Sequence, residues 1–216
     1  MLPQMIRRPL RGVATMLLTP ILFSIRTGHW RSALAARAAD RDGRPIPWLT
    51  YPAVDFLRGL DLGAASVLEF GSGQSTLWFS ARARSVVSLE WQREWYDYVR
   101  AQLGGNVRLI LSDHTPERAA IGDGPFDVVL VDGLHRLRAA EIAADLVAPD
   151  GLVMLDNSEG DWGPAGTKPI IELFAARGFM RVDFHGYAPG VWKPHCTSIF
   201  FRPGCRFLTG QAAPVC

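Results

Sequence analysis

The stretch from Val67 to Ser75 constrains the fold of this chain more than any other. It reads Val-Leu-Glu-Phe-Gly-Ser-Gly-Gln-Ser, so residues typical of a β-strand lead directly into two glycines. Ser75 or Thr76 can then cap a following helix. A strand, a tight turn and a helix together direct backbone N–H groups toward an incoming ligand. Gly71 and Gly73 lack a Cβ atom, so such a ligand can approach the main chain closely.

An acidic residue further along the chain indicates which ligand this turn binds. Glu90 lies 19 positions after Gly71, at the end of a second strand-like run that begins at Ser85. A carboxylate at about 20 residues from such a glycine turn can accept hydrogen bonds from two ribose hydroxyls. The pattern therefore predicts a nucleoside cofactor. The usual dinucleotide motif has a third small residue where this chain has Thr76, which argues against a nicotinamide or flavin enzyme.

Strand and helix signals alternate from residue 65 onward, which predicts a parallel sheet with helices on both faces. Several predicted strands end in polar residues, namely Glu90, Ser112-Asp113, Asp132 and Asp156-Asn157. In open α/β sheets, ligands bind in the crevice at the carboxyl ends of the strands. We therefore expect these side chains to lie along one rim of the sheet.

The last two strand-like runs, Phe179–His185 and Thr197–Phe201, are joined by a connection rich in proline and glycine, without a helix. Two strands connected in this way are most simply antiparallel. The expected fold is therefore α/β, a Rossmann-like, doubly wound, seven-stranded sheet that is mostly parallel with an antiparallel last strand. We divide the chain into an N-terminal helical extension (1–50), the α/β domain (51–204) and a C-terminal tail (205–216).

Composition narrows the class of protein further. A hydrophobic content of 48% and a charged content of 20% are typical of a globular protein. A net charge of +2 is too small to argue for a nucleic-acid partner. Three cysteines without zinc-type spacing suggest reduced thiols and a cytoplasmic location.

The N-terminal segment, Met1–Ile25, combines Arg7, Arg8 and Arg11 with an apolar run. Pro20 and the lack of a small-x-small cleavage site argue against a signal peptide. The apolar run of 14 residues is also too short to span a bilayer. Two alternatives remain, and the favoured one is a pair of short helices that pack on the domain. The other is a basic, apolar segment in a membrane interface, which would place the protein peripherally at the inner face of the membrane.

The glycine turn, the acid after the second strand and the antiparallel last strand resemble class I S-adenosylmethionine-dependent methyltransferases. The resemblance covers about residues 50–202, and Val67–Gly73 is its most specific part. It implies that Gly71, Ser72 and Gly73 contact the methionine part of the cofactor, that Glu90 binds the ribose, and that Asp113 and Trp91 contact the adenine. The remaining residues predicted to surround the cofactor are Glu69, Ser75, Ser112 and Asp132.

A second, narrower resemblance concerns the acceptor side. Val131–His135 and Leu155–Asn157 are similar to two motifs of the metal-dependent catechol-type O-methyltransferases. This resemblance implies that Asp132, Asp156 and Asn157 hold Mg²⁺. A basic residue that deprotonates the acceptor is usually a lysine in that family, whereas here its position is His135. A metal-bound hydroxyl and a neutral imidazole are together a sensible way to generate an attacking oxyanion.

The expected function is therefore methyl transfer from S-adenosylmethionine to a small-molecule acceptor, most simply an oxygen, with His135 and Asp132 as catalytic residues. Trp48, Tyr51 and Trp162 are candidate walls of the acceptor site. The alternatives are an enzyme that methylates nitrogen or carbon without a metal, and an inactive cofactor-binding module, with or without membrane association through Met1–Ile25. The sequence leaves open which acceptor is used and whether the chain forms a homodimer.

Overall fold

The computed structural model describes residues 4–112, 115–160 and 166–208, with side chains from residue 11 onward. The helices are α1 (Gln4–Thr27), α2 (His29–Ala35), α3 (Tyr51–Arg58), α4 (Gln74–Ser80), α5 (Arg93–Arg100), α6 (Arg118–Ile121), α7 (Arg136–Leu146) and α8 (Lys168–Ala176). The strands are β1 (Ser66–Phe70), β2 (Ser85–Glu90), β3 (Val107–Leu111), β4 (Phe126–Val131), β5 (Val147–Leu155), β6 (Met180–Tyr187) and β7 (Pro194–Phe201).

The strands form one seven-stranded sheet in the order β3-β2-β1-β4-β5-β7-β6. The first five strands in this order are parallel, and β7 pairs antiparallel with both β5 and β6. Every residue of β1 and β4 is buried, as expected for parallel strands whose two faces are covered by helices. The fold class predicted from the sequence is confirmed.

Two hydrophobic cores lie on the two faces of this sheet. Because side chains alternate across a strand, Val128 and Leu130 of β4 belong to one core, and Val129 and Val131 belong to the other. The first core also takes in residues of the predicted extension and of the predicted tail, namely Ala38, Ile46, Leu49, Cys205 and Phe207. Packing on both faces holds the carboxyl rim of the sheet in a fixed arrangement.

Some element boundaries differ from the sequence prediction. Pro149-Asp150-Gly151 has the composition of a turn, but these residues lie inside β5, where the β4–β5 register shifts between Phe126 and Val128. The sequence Thr27–Ala39 is typical of a single helix, whereas α2 ends at Ala35 because Ala36 has φ +47°. The Ser32 side chain stabilises this ending, since its Oγ donates to the Ala39 carbonyl (2.9 Å) and accepts from the Ala39 N–H (3.0 Å).

The N-terminal segment is one continuous helix rather than the favoured pair of short packed helices. Residues 11–22 of α1 are exposed on all sides. Contact with the domain begins at Phe23, whose ring lies 5.3 Å from that of Tyr51 in an edge-to-face arrangement and 5.6 Å from that of His29. Within the described residues, no helix is both long enough and apolar enough to cross a bilayer.

Candidate active site

The turn after β1 needs glycine at its first position. Gly71 has φ +101°, and a Cβ there would lie 2.4 Å from the carbonyl oxygen of Asp132. A Cβ at Gly133 would lie 2.5 Å from the Trp91 ring. The loops after β1 and β4 are therefore packed main chain against main chain at the rim of the sheet, and the Trp91 ring after β2 packs directly on Gly133. Gly73 differs, because its φ of 172° is extended and a Cβ would meet only Trp95 at 3.5 Å.

Glu90 ties the end of β2 to this turn. Its Oε2 accepts hydrogen bonds from the Ser72 N–H (3.0 Å) and the Ser72 Oγ (2.8 Å). Its Oε1 accepts from the N–H groups of Trp91 (2.8 Å) and Gln92 (2.9 Å). A carboxylate offers about four acceptor positions, so a ribose hydroxyl would have to replace one of these donors. The Ser72 hydroxyl is the one that can rotate away.

A cleft of about 430 Å³ opens beside these residues. Its lining includes five residues predicted for the cofactor site, namely Gly71, Ser72, Glu90, Trp91 and Asp132. It also includes Trp48, which was predicted as a wall of the acceptor site. The cleft is also lined by a residue that was not predicted for the site, Trp95. Its indole N–H donates to the Ser72 carbonyl (2.5 Å), and its ring stacks on Tyr98. The volume lies in the range of pockets that bind drug-sized ligands.

Beneath the glycine turn lies a buried carboxyl group, Glu69, with no solvent exposure. Its Oε2 accepts from the Ser88 Oγ (2.7 Å) and from the Thr76 Oγ, which itself accepts from the Gly73 N–H (2.9 Å). Burial raises the pKa of Glu69 to about 7, against the lowering effect of hydrogen bonds from Ser75, Thr76 and Ser88. Glu69 Oε1 has no hydrogen-bond partner among the described residues.

Glu69 should make the stability of the protein fall as the pH rises from about 4.5 to about 7. In this range the unfolded chain has lost the proton of Glu69 while the folded chain keeps it, so each step up in pH favours unfolding. The contribution of Glu69 to the free energy of unfolding is about 3 kcal/mol. This contribution is fully present below the lower pH and is lost above the upper one. Denaturant unfolding of wild type and Glu69→Gln across this range measures it, and the variant should show a flatter pH dependence. Equal slopes would show that Glu69 does not hold a proton.

The predicted site residues outside this cleft have different positions. Ser75 is buried in the first turn of α4, and the Ser112 N–H donates to the Glu90 carbonyl oxygen (2.8 Å) at the end of β3. Tyr51 is not a cleft wall but a core residue that packs against Phe23. Asp113 and Trp162 lie outside the described residues.

The ends of β4 and β5 meet around a guanidinium group that the sequence did not suggest. The Arg136 side chain donates to four acceptors: the carbonyl of Asp156 (2.6 Å), the Oδ1 of Asn157 (3.3 Å), the carbonyl of Gly133 (3.3 Å) and the Oδ1 of Asp132 (3.5 Å). Arg136 is the first residue of α7 and Asp132 follows β4, and the two form a partly buried ion pair.

The three residues predicted to hold Mg²⁺ therefore come together, but around a cation that the chain itself supplies. Thr197 donates to Asp156 Oδ1 (2.7 Å), and Arg136 lies between Asp132 and Asn157. A divalent ion would have to displace the guanidinium, so this donor set does not fit the predicted metal. The described part of the chain has no cluster of three or more histidine, cysteine or acidic side chains suited to a metal ion. Burial raises the pKa of Asp132 and of Asp156, and Arg136 opposes this rise at both carboxyls. A like-charged neighbour adds to the rise in each case, Glu69 for Asp132 and Asp132 for Asp156.

His135 lies at the mouth of a second, larger cleft of about 680 Å³. This cleft is also lined by Arg136, Arg138 and Asn157, and it shares Gly133 and Leu134 with the first cleft. His135 has φ +54° and precedes α7, so the exposed imidazole stands on a fixed turn between the two clefts. Because the two clefts meet, a ligand in the first cleft would lie next to a ligand in the second.

A second histidine near this rim was not assigned from the sequence. His195 Nδ1 lies 2.7 Å from Glu159 Oε1 and 3.3 Å from Asn157 Nδ2. These three residues come from the loop after β5 and from β7, which are distant in the sequence. Only the antiparallel pairing of β5 with β7 brings them together, and no spacing along the chain could have indicated it.

The sheet order, the glycine turn and the cleft beside it define the class I fold of Rossmann-like methyltransferases. Residues 68–158 match a family model described as a methyltransferase domain. A search of curated proteins finds none that matches the chain. The resemblance to class I S-adenosylmethionine-dependent methyltransferases is thereby confirmed, and it rests on the part of the chain that carries the turn, Glu90, Asp132 and Asp156.

Solved structures with this fold include enzymes of different acceptor specificity. The chain is similar to cofactor-bound Rv0187 from MTB, at 20% identity and a TM-score of 0.61, over 85% of this chain and 95% of that one. It is also similar to the O-methyltransferase TomG from Streptomyces achromogenes in complex with SAM, at 21% identity and a TM-score of 0.51, over 69% and 77%. The N-methyltransferase NodS from Bradyrhizobium japonicum, in complex with S-adenosyl-L-homocysteine, has 16% identity and a TM-score of 0.50, over 68% and 84%. At these identities the likeness is one of fold alone.

Proposed function

We propose that the protein transfers a methyl group from S-adenosylmethionine to a hydroxyl oxygen of a small-molecule acceptor, without a metal ion. The observation that carries this proposal is the pair of clefts that meet at Gly133 and Leu134. The smaller one adjoins the glycine turn and suits the cofactor. The larger one, with His135 at its mouth, suits the acceptor. The O-methyltransferase among the structural neighbours supports an oxygen acceptor, although an N-methyltransferase shares the same fold.

The cofactor would lie with its amino acid part over the turn at Gly71 and its nucleoside part toward Glu90 and Trp91. When bound, it supplies an electrophilic methyl group on a sulfonium. Glu69, buried beneath the turn, would hold the turn in place through Thr76, which accepts from the Gly73 N–H. Trp48, Trp91 and Trp95 would enclose the nucleoside and exclude water from it.

The transfer itself requires one proton acceptor and in-line positioning. His135 would take the proton of the acceptor hydroxyl as a neutral imidazole, and the oxygen lone pair would form the new bond to the methyl carbon as the carbon–sulfur bond breaks. Asp132 would orient the two reactants, held by its ion pair with Arg136. Proximity and alignment of the reactants would provide most of the rate acceleration.

Replacing His135 with asparagine should lower kcat by roughly 10²-fold or more while leaving the affinity for S-adenosylhomocysteine unchanged. Asparagine tolerates the left-handed backbone of this position (φ +54°), so the variant removes the imidazole without adding strain. The measurement is the pH dependence of turnover together with calorimetric titration. Unchanged turnover and an unchanged pH profile would remove His135 from the mechanism.

Radiolabelled methyl transfer to panels of hydroxyl and amine acceptors tests the overall proposal. Incorporation into hydroxyl acceptors supports it, and incorporation into amines alone would show the N-methyltransferase alternative. Tight binding of the cofactor without transfer to any acceptor would favour the inactive module.

A comparison of turnover between wild type and Asp132→Asn shows whether the ion pair with Arg136 contributes to it. This variant keeps the shape of the side chain but not its charge.

A further inference from the structure

We infer that α1 docks the protein on the surface of an anionic lipid bilayer. Seven large apolar side chains of this helix are exposed by 44 to 68%: Val13, Met16, Leu17, Leu18, Ile21, Leu22 and Ile25. They extend along the helix from residue 13 to residue 25, and all except Ile25 precede Phe23, where contact with the domain begins. Burying so much apolar surface in a partner is strongly favourable, and contiguous exposed patches of this kind mark interaction sites.

The charge of the segment identifies the partner. Residues 1–39 contain six arginines, at positions 7, 8, 11, 26, 31 and 37, and the first acidic residue of the chain is Asp40. Arg11 and Arg26 flank the apolar patch on either side. A basic helix with a large apolar surface lies in the interface of an anionic membrane, where arginines contact lipid headgroups and apolar side chains enter the acyl boundary. Two copies of α1 packed together would instead bring arginines near arginines, with no acidic residue to compensate them.

Neighbouring elements extend the patch at its domain end. Trp30 and Leu34 of α2 are exposed by 44% and 82%. The β6–β7 turn packs on α2, where the Gly190 N–H donates to His29 Nδ1 (3.3 Å), and it exposes 85% of Trp192. Tryptophan is enriched at membrane–water interfaces. Since α1 does not meet the requirements of a membrane span, a position along the bilayer surface is the arrangement that uses all of these features.

The docked helix would also stand close to the candidate cofactor cleft. Only Gly28 separates α1 from α2, and α2 ends next to Ala36, which lines that cleft together with Trp48. Docking through α1 would therefore bring the mouth of the site close to the lipid surface. The docking itself does not depend on the proposed methyl transfer, and vesicle binding can be measured without any substrate.

Co-sedimentation of the full chain with vesicles of phosphatidylcholine alone, or of phosphatidylcholine with phosphatidylglycerol, tests the docking. We expect binding to the anionic vesicles, and 0.5 M salt should weaken it. Binding to the neutral vesicles should be weaker than binding to the anionic ones by roughly tenfold or more. The double variant Leu17→Glu, Ile21→Glu should lose binding by at least about tenfold. The variant Arg7→Gln, Arg8→Gln, Arg11→Gln should lose the preference for anionic lipid.

The double variant Met180→Glu, Val182→Glu is the matched control. It places the same charges at exposed apolar positions of β6, away from α1, and it should bind vesicles as wild type does. Equal loss of binding in both double variants would contradict docking through α1. So would equal binding of wild type to both kinds of vesicle, or no binding to either. A concentration-dependent dimer that Leu17→Glu, Ile21→Glu dissociates, in a protein that binds no vesicles, would show that a second copy covers the helix.

Discussion

Gly71→Ala is expected to weaken binding of S-adenosylhomocysteine by at least about 100-fold. The new Cβ would lie 2.4 Å from the Asp132 carbonyl, on a backbone with φ +101°, so the turn must move away from the loop after β4. Strain of this kind costs about 1–3 kcal/mol even before the clash is counted. Calorimetric titration measures the affinity, and denaturant unfolding measures the accompanying loss of stability.

Gly105→Ala is the control for this prediction. Gly105 follows α5, and a Cβ there meets nothing within 4 Å. Its affinity for S-adenosylhomocysteine and its stability should match those of wild type. If Gly71→Ala binds the ligand as tightly as Gly105→Ala does, the cofactor does not lie over this turn.

Arg136→Ala is expected to be the most damaging substitution on the acceptor side. It removes the cation that four acceptors from β4, β5 and their loops share, and it leaves the partly buried Asp132 without its ion-pair partner. Breaking such a pair on one side costs about 3–5 kcal/mol when it is fully buried, and we expect about 3 kcal/mol here because the pair is partly exposed. Methyl transfer should fall to background, as measured by product formation under conditions where the variant is folded.

Arg58→Ala provides the control. Arg58 lines neither cleft and pairs with Asp55 at the surface of α3, and such pairs contribute about 0.2–1 kcal/mol. Its loss should leave both stability and turnover close to wild type.

The same account predicts that EDTA leaves wild-type turnover unchanged, because Arg136 takes the place that the predicted Mg²⁺ would need. A loss of turnover in EDTA that Mg²⁺ restores would contradict it.

Much of the fold could be predicted because its signals are local. The continuous apolar run of β4 and the glycine turn after β1 are each contained in fewer than ten residues. The end of α2 could not be predicted in this way, since it depends on hydrogen bonds between the Ser32 side chain and Ala39. The exposure of α1 was also missed, because a short apolar run has the same pattern whether it is buried or left free.

The cofactor side of the site was easier to predict than the acceptor side. Gly71, Ser72, Glu90 and Trp91 all lie at the ends of two adjacent strands, so their order in the sequence placed them in one cleft. The acceptor side depends on which side chain fills the space between two strand ends. The sequence pairs Asp132 with Asp156 and Asn157, but only the geometry shows that Arg136 already bridges them.

Calorimetric titration of the full chain with S-adenosylhomocysteine, at two temperatures, tests the central claim most directly. The account predicts saturable binding at one site, a higher unfolding temperature in the presence of the ligand, and loss of both effects in Gly71→Ala. If the titration gave no heat at either temperature and the ligand did not shift the unfolding temperature, the account would be contradicted. The cleft beside the glycine turn would then not be a cofactor site.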